Sequence, residues 1–546
     1  MIDVLSYLYE GAHERVAYLL KYQVMDPSSP EYGAIGLHAS DPYPQPKHTI
    51  YRMTPALCCY CHEGDPLFED PELYRRMESA LAYLSRTQRP SGCWDYPPCN
   101  FDSAPDTSFC VKRLIPMYRF LKVYPAKGTE RLADEMYVLI AHAAEGILHG
   151  GFHTPNHRWA IASVMEACGN VLGEQKYKDR AEAFLKEGID CNEYGEFSER
   201  SAITYNCVND AAMLMLFEET GEKKYLEYAR RNLHMMLTYL EPDDTIFSEN
   251  SHRQDKGMTA YPRDYFYQFL EVAALTGDDE LGKAACRILE DTKKLNLQLA
   301  PDCLHLYLLS KPMREYRFPG SSLLENYEVQ YGKSGIVRYR DGDFSFTLLE
   351  DNPKFLFYRI GAIGGFLRIS LGYFDQRHLK ATNIRKTEMG YAFDFHADGW
   401  YYQPFSDAKG DIVDFFKVDN AKREKIVKNT LDISFSLVKK EHGFDISFTG
   451  KGIDGVYMML EWAVQPDTDV ENEGFSLVAK AGDGMVVKSG KVVVRRGMDR
   501  FSISPLVAVR DITHGGYGSE PQSPDHFTIY NCLATPFDHT YQVRSF

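Results

Sequence analysis

The sequence predicts a multidomain, α-then-β protein. An N-terminal (α/α) toroid, either incomplete or a six-hairpin barrel, is expected over residues 1–312, followed by an antiparallel β-sandwich over 325–546. Three observations predict it. At 546 residues the chain is too long for one hydrophobic core, so two or three domains are expected. Its first 310 or so residues carry three-and-four apolar spacing, and the rest carries short β-branched and aromatic runs.

Helical periodicity is clear in RRMESALAYLSRTQ, ADEMYVLIAHAAEGIL, RWAIASVMEACGNVLG and YLEYARRNLHMMLTYL, and strand signals are nearly absent there. A weak repeat joins VLGEQKYKDRAEAFL, ETGEKKYLEYARRNL and LTGDDELGKAACRIL: a helix ends at Gly173, Gly221 or Gly277, an acidic turn follows, and a new amphipathic helix begins. Glycine just past a helix is the expected C-cap. Hairpins of about fifty residues stack as a solenoid or close into a toroid. Closure is favoured because the long, chemically loaded loops fall at one end. Beyond residue 320, GIVRYRDGDFSFTLLED, HGFDISFTG, GMVVKSGKVVVRRG and DRFSISPLVAVRD, punctuated by Gly and Asp-Gly, predict antiparallel hairpins of a sandwich. The boundary is expected in SKPMREYRFPGSSLLENY.

A net charge of −16 excludes nucleic acid and anionic membranes as general partners, since both need a basic face, but not an anionic substrate in a locally basic cleft. The N-terminal MIDVLSYLYEGAHERVAYLL has no basic n-region before an apolar core, and no apolar run is long enough to span a membrane. The 12 cysteines show no framework and are expected as reduced thiols in a cytoplasmic protein. The chain holds 37 Tyr and 31 Phe but 4 Trp; tyrosine-rich clefts suit sugars, and a tyrosine-rich β core gives the same count.

Chemistry concentrates at three helix mouths. In GGFHTPNHRWAIASVMEACGN, residues 150–170, a Gly-Gly turn leads through Asn156, His157, Arg158 and Trp159 into an amphipathic helix. Donors gathered at a helix start suit an anion, because free N–H groups and the helix dipole add to the side chains. The same residues also read as an Asn or Thr cap with incidental His and Arg. In GEFSERSAITYNCVNDAAMLML, residues 195–216, Glu199, Arg200 and Tyr205 precede a strongly apolar helix. Thr204 or Asn206 is the expected cap, and Glu199 pairs with Arg200 on the bland reading. That reading leaves Tyr205 unused, whereas a phenol beside a guanidinium is suited to proton transfer. The third mouth, FSENSHRQDKGMTAYPRDYFYQFL, places His252 and Arg253 before another helix, as a base, a subsite contact or a plain surface loop.

PNHRW and FSERSAITYN together resemble the toroid half of the heparinase II/III-like polysaccharide lyases. That family carries Asn or His at the head of one helix and, further on, F-E-x-[ST]-x-x-Y-H with a catalytic Tyr. Asn156 and Tyr205 lie 49 residues apart here, close to the family spacing. FSERSAITYN is one residue longer between Glu and Tyr, and Asn206 stands where the family has His. The family's early His-rich β-strand has no counterpart in YRIGAIGGFLRISLGYF; DFHADGWYYQPF, with His396 and Trp400, is the nearest substitute and comes later. The resemblance implies β-elimination at a uronic acid. Asn156 and His157, helped by Arg158 or Arg200, would clamp the substrate carboxylate, and Tyr205 would act as acid and also as base. His252 or Arg253 would serve as a separate base where Tyr205 is the acid alone, or otherwise as a subsite contact, and Trp159, Glu199, His396 and Trp400 would contact sugar. No cofactor and no metal is required, and a homo-oligomer stays open. The absence of an export signal favours imported oligosaccharides over intact polymer.

Two rival readings remain. An inverting glycoside hydrolase would use two carboxylates with room for a water, from Glu199, Glu249, Asp102 and Asp106. A non-catalytic sugar-binding protein would only grip its ligand. LCCYCHEGD, with Cys58, Cys59, Cys61 and His62, shows no second ligand pair at zinc spacing along the chain, and TQRPSGCWDY reads as a helix connector. No P-loop, dinucleotide fingerprint or nucleophile elbow is present.

Overall fold

The computed structural model describes residues 3–38, 43–402, 415–419, 421, 423–513 and 518–546, so the end of DFHADGWYYQPF, 403–405, lies outside the described residues. The chain divides into two units, Met1–Leu240 with Asp244–Leu324, and Glu241–Asp243 with Glu325–Phe546.

The first unit is helical. In chain order it holds α1 (Val4–Tyr22), α2 (Pro46–Tyr60), α3 (Pro71–Thr87), α4 (Ala104–Val123), α5 (Thr129–His149), α6 (Pro155–Leu172), α7 (Gln175–Leu185), α8 (Tyr205–Thr220), α9 (Lys223–Leu237), α10 (Phe266–Thr276), α11 (Asp279–Lys294) and α12 (Cys303–Leu309), then a short α13 (Lys311–Glu315). The even-numbered helices from α2 to α12 touch in succession, and α12 returns to α2. Each odd-numbered helix from α3 to α11 packs on the even helix before it, and α1 packs on α2. Among the described residues the toroid is therefore closed, with six inner and six outer helices.

Burial patterns explain this sorting. Outer α11 buries Leu281, Ala284, Ala285, Ile288 and Leu289, one stripe at helical spacing, and leaves the opposite face charged. Inner α8 buries residues almost all round, including Asn206, Asn209 and Asp210. A helix wetted on one side needs one apolar stripe, whereas one ringed by neighbours needs none of its faces polar. The repeat glycines behave as expected: Gly173, Gly221 and Gly277 each cap a helix at φ +72, with the backbone N–H returning to the last turn. The expected connector at 87–96 contains a feature that helical periodicity does not show, a two-stranded hairpin of Trp94–Tyr96 and Asn100–Ser103. Trp94 anchors it, buried with its indole N–H on the Leu84 carbonyl at 2.9 Å.

The second unit is a sandwich of two nine-stranded sheets among the described residues. Among the described residues every ladder between named strands is antiparallel except Gly484–Val486 with Phe527–Ala534. One sheet centres on Ile363–Tyr373 and Tyr457–Val464, the other on Lys425–Lys440 and Gly443–Gly452. Inward side chains from both sheets form one core, where Phe393 and Phe435, directly opposite across a strand pair, stack at 4.2 Å. Within the first sheet Arg368 and Glu461, also cross-strand partners, bury an ion pair with Nε to Oε2 at 3.0 Å.

Gly221→Ala places a Cβ in open space but at a backbone angle L residues disfavour. It is expected to cost about 1 kcal/mol of stability, read by chemical denaturation. An unchanged midpoint would show that the cap is not strained.

Candidate active site

Inner helices α6 and α8 begin without a side-chain cap of their own, unlike α1, α3, α4 and α11, which use Asp3, Asp70, Ser103 and Asp278. Carboxylates from distant loops fill the gap. At α6, Glu199 accepts from the Asn156 backbone N–H at 3.1 Å and from the Asn156 amide at 2.8 and 2.9 Å. At α8, Asp255 Oδ2 accepts from the Ile203 and Thr204 N–H groups at 3.1 and 3.3 Å and from the Ser201 hydroxyl at 2.8 Å, while Ser251 donates to Oδ1. Ser201 Oγ in turn accepts from the Tyr205 N–H at 3.0 Å. Neither Thr204 nor Asn206 caps the helix, because Asp255 brings a full negative charge to the positive helix end.

The anion-suited start of α6 is thus occupied by the protein's own Glu199. The Asn156 amide also donates to Thr154 Oγ1 at 2.9 Å, so both its hydrogens are committed, and the residue is wholly buried. Its Oδ1 has no hydrogen-bond partner among the described residues. Glu199 is 5% exposed, and burial holds its carboxyl above the ordinary range, partly offset by Asn156 and Arg253. It does not pair with Arg200; Arg200 Nε lies 3.6 Å from Glu196.

The loop carrying Glu199 is fixed at both ends. At Gly195, φ +91, any Cβ would fall 2.2 Å from the Arg231 carbonyl oxygen, so only glycine permits the approach to α9. Asn232 then donates to the Gly195 carbonyl at 2.6 Å. Arg200 sits at φ +49, a left-handed conformation that is costly for a residue with a Cβ and that clusters at working sites.

Cations and imidazoles gather at this mouth. Arg253 Nε is 3.4 Å from Glu199 Oε1, and its guanidinium lies 4.9 Å from the centre of the Tyr205 ring. The hydrogen bond to the Tyr205 hydroxyl, helped by Glu199, holds Arg253 above its ordinary basicity, against burial, which lowers it. Gln254 Nε2 donates to Tyr205 Oη at 2.9 Å. His157 meets the edge of Phe109 at 5.9 Å, and burial pushes its imidazole down to about 4, so it is neutral at pH 7. Its Nδ1 faces the His153 N–H at 3.4 Å, which leaves Nε2 as the protonated nitrogen. Lys47, near the start of α2, lies 3.8 Å from Asp106 and 4.4 Å from the Tyr96 ring centre. Exposed His252 donates its backbone N–H to the Glu199 carbonyl at 3.2 Å, and burial, then Arg200 and Lys256, lower its imidazole. Below the mouth a cavity of about 290 Å³ runs between the inner helices, lined by Tyr51, Phe109, Arg113, Thr204, Asp264 and His305.

Two other expected residues, Arg158 and Trp159, face away from this mouth. Arg158 pairs with Glu187 and stacks 4.3 Å from Trp159, which is fully buried with its indole N–H on Asp190 at 2.7 Å. Both are structural in these positions rather than presented at the mouth, because residues 158 and 159 fall on the helix face turned to α7 and its following loop. His396 belongs to the second unit, exposed on strand Gly390–Tyr402, with Nδ1 2.6 Å from its cross-strand partner Asp432 and Nε2 3.3 Å from Asp398. Trp400, on the same strand, carries Lys425 Nζ 3.5 Å from its ring centre. Residues missed by sequence reasoning are Asp255, Gln254 and Lys47. The first two stand inside the third polar loop already singled out; Lys47 has no signal in its surroundings.

Asp255→Ala is expected to cost about 2 kcal/mol or more, since it strands four donors, two of them buried, and to loosen the start of α8. Denaturation midpoints check this, with Asp255→Asn intermediate. His157 has a folded value below its unfolded 6.5, so the unfolded chain binds the extra proton first. Its contribution is present above pH 6.5 and is lost as pH falls towards about 4. A His157→Gln variant should therefore lose less stability than the wild type over that window; equal losses would contradict the assignment.

No protein-family model matches the chain, and no curated protein sequence does. Solved structures do. The backbone is similar to heparinase III (TM-score 0.52, 11% identity, covering 91% of this chain and 74% of that one). It is similar to the chondroitin AC lyase of Streptomyces coelicolor A3 in complex with chondroitin sulphate (TM-score 0.54, 11% identity, 100% and 80% covered). A Paenibacillus xanthan lyase matches at TM-score 0.57 and 8% identity, with 100% and 58% covered. The chain has the fold of these polysaccharide lyases, a helical toroid followed by an antiparallel β-domain.

Proposed function

We propose that the protein is a carbohydrate-active lyase that cleaves uronic-acid-containing oligo- or polysaccharides by β-elimination. The observation that carries this reading is the placement of Tyr205 at the first residue of α8, under the Arg253 guanidinium and bonded by Gln254, within a mouth that also holds neutral His157.

The C5 proton of a hexuronate becomes labile only when the adjacent carboxylate is neutralised. Arg253 supplies the positive charge and His157 Nε2–H a neutral donor. Tyr205 oxygen takes the C5 proton, the freed electron pair forms the C4–C5 double bond, the C4–O4 bond breaks, and the same oxygen returns the proton to O4. His252, with Arg200 and Lys256, forms a neighbouring subsite contact. Asn156, whose amide is committed to Glu199 and Thr154, acts as a positioning residue: it fixes the carboxylate against which Arg253 rests. Arg158 and Trp159 support α6 from behind.

The hydrolase reading has less support. It needs two carboxylates facing a water. Glu199 is spent on Asn156, and Asp106 is buried, accepting from Ser103 at 2.6 Å and Asn100 at 3.1 Å.

Incubation with a panel of uronate oligosaccharides should yield products carrying a C4–C5 double bond and its ultraviolet absorbance. Tyr205→Phe should lower kcat about 10²–10⁴-fold, and Arg253→Gln should chiefly raise KM. Saturated products together with a fully active Tyr205→Phe would sink the lyase assignment. Tight binding without turnover across the panel would favour the sugar-binding reading.

A further inference from the structure

The strongest feature that the mouth leaves unused lies in the same toroid, where α1 meets the end of α2. Cys59, the last residue but one of α2, is fully buried. Asp65, in the α2–α3 loop, is 2% exposed at its side chain, and His13 on α1 closes the group at 41% exposure. Nε2 of His13 lies 2.7 Å from Asp65 Oδ2. One ligand atom from each of the three residues falls within 4.8 Å of the others.

We propose that His13, Cys59 and Asp65 form a zinc site that ties α1 to the α2–α3 turn. The donor set is thiolate, imidazole and carboxylate, the mixture a borderline-soft divalent ion takes. Zinc–ligand bonds of about 2.0–2.3 Å put ligand atoms roughly 3.3–3.8 Å apart around a tetrahedral ion, so side-chain rotations of about an ångström complete the shell. Three protein ligands leave the fourth position to water, which enters beside the half-exposed His13.

Charge supports the assignment. A thiolate, a carboxylate and a divalent cation sum to zero with neutral imidazole, which suits a buried position. The metal takes the place of the thiol proton. The turn is also held in place from outside the cluster. Asp65 Oδ1 accepts from the Leu67 N–H at 2.9 Å, and Tyr9, on α1, stacks on His62 at 4.5 Å. The set does not form a paired Cys or His motif along the chain, because its members are 46 and 6 positions apart and one is an aspartate.

The test uses the full chain, stripped with a chelator and titrated with zinc alone, then with cobalt as a spectroscopic probe. One equivalent of zinc per chain is expected, with a raised melting temperature and a thiolate-to-cobalt charge-transfer band in the near ultraviolet. Cys59→Ser should abolish the band, and His13→Ala, at a half-exposed position that folding does not need, should weaken zinc binding at least tenfold. Cys61→Ser should leave both unchanged. Absence of stoichiometric zinc binding by the folded wild type, or a cobalt band and affinity that survive His13→Ala, would overturn the proposal. Because the readouts are binding and spectroscopy, they stand apart from the lyase activity.

Discussion

The mouth of the toroid rests on one interaction, the seating of Glu199 on the N-terminus of α6. A helix start is a partial positive charge with unpaired N–H groups, and here a buried carboxylate from a loop 43 positions away accepts three hydrogen bonds from one residue there. The arrangement joins the first mouth to the second. It also anchors the third, since His252 bonds to the Glu199 backbone and Arg253 to its carboxylate. Removing either partner would leave a buried charge or a buried amide without compensation, which costs more than the bond itself contributes.

The same logic sorts the charges. Asp255, Glu199 and Asp106 are buried and face N–H, amide and hydroxyl donors of the protein. Arg253, Lys47, His252 and His157 stand in front of them, partly exposed. A chain with a net charge of −16 thus keeps Arg253 and Lys47 as partly exposed cations beside its buried carboxylates. Net charge governs long-range behaviour, but an anion at contact distance meets the groups nearest it, because screening removes charges beyond about 8–10 Å.

Fold class was legible because burial follows period: the inner and outer helices and the sandwich strands all announce themselves through apolar spacing. Closure of the ring was favoured by the loaded loops at one end, but the pair that closes it, α12 with α2, joins segments some 250 residues apart and leaves no periodic trace. At the site, the clusters around Asn156, Tyr205 and His252 were visible as polar residues before apolar helices. Their pairing was not. Glu199 reads locally as a partner for Arg200, and only the fold shows that it belongs to Asn156, just as Asp255 rather than Thr204 caps α8. Arg158 and Trp159 were drawn into the site by adjacency, but on a helix consecutive residues point about 100° apart, and theirs is the outward face.

That geometry supplies a rule for where such a toroid keeps its chemistry. Every Cα–Cβ bond of a helix tilts toward the N-terminus, so side chains in the first turn reach past the helix end. Lys47 is second in α2, Asp106 third in α4, His157 third in α6 and Tyr205 first in α8. Inner helices that share one polarity thus deliver four different groups to one end of the ring, each fixed by its own helix. A residue one turn further along projects into the packed ring instead, where Asp210 and Asn209 of α8 are wholly buried. The insertion of one residue between Glu199 and Tyr205, relative to the family pattern, falls in the loop before α8 rather than within it. It lengthens the approach without rotating Tyr205 off the helix start, and so leaves the phenol at the position from which it can reach into the mouth.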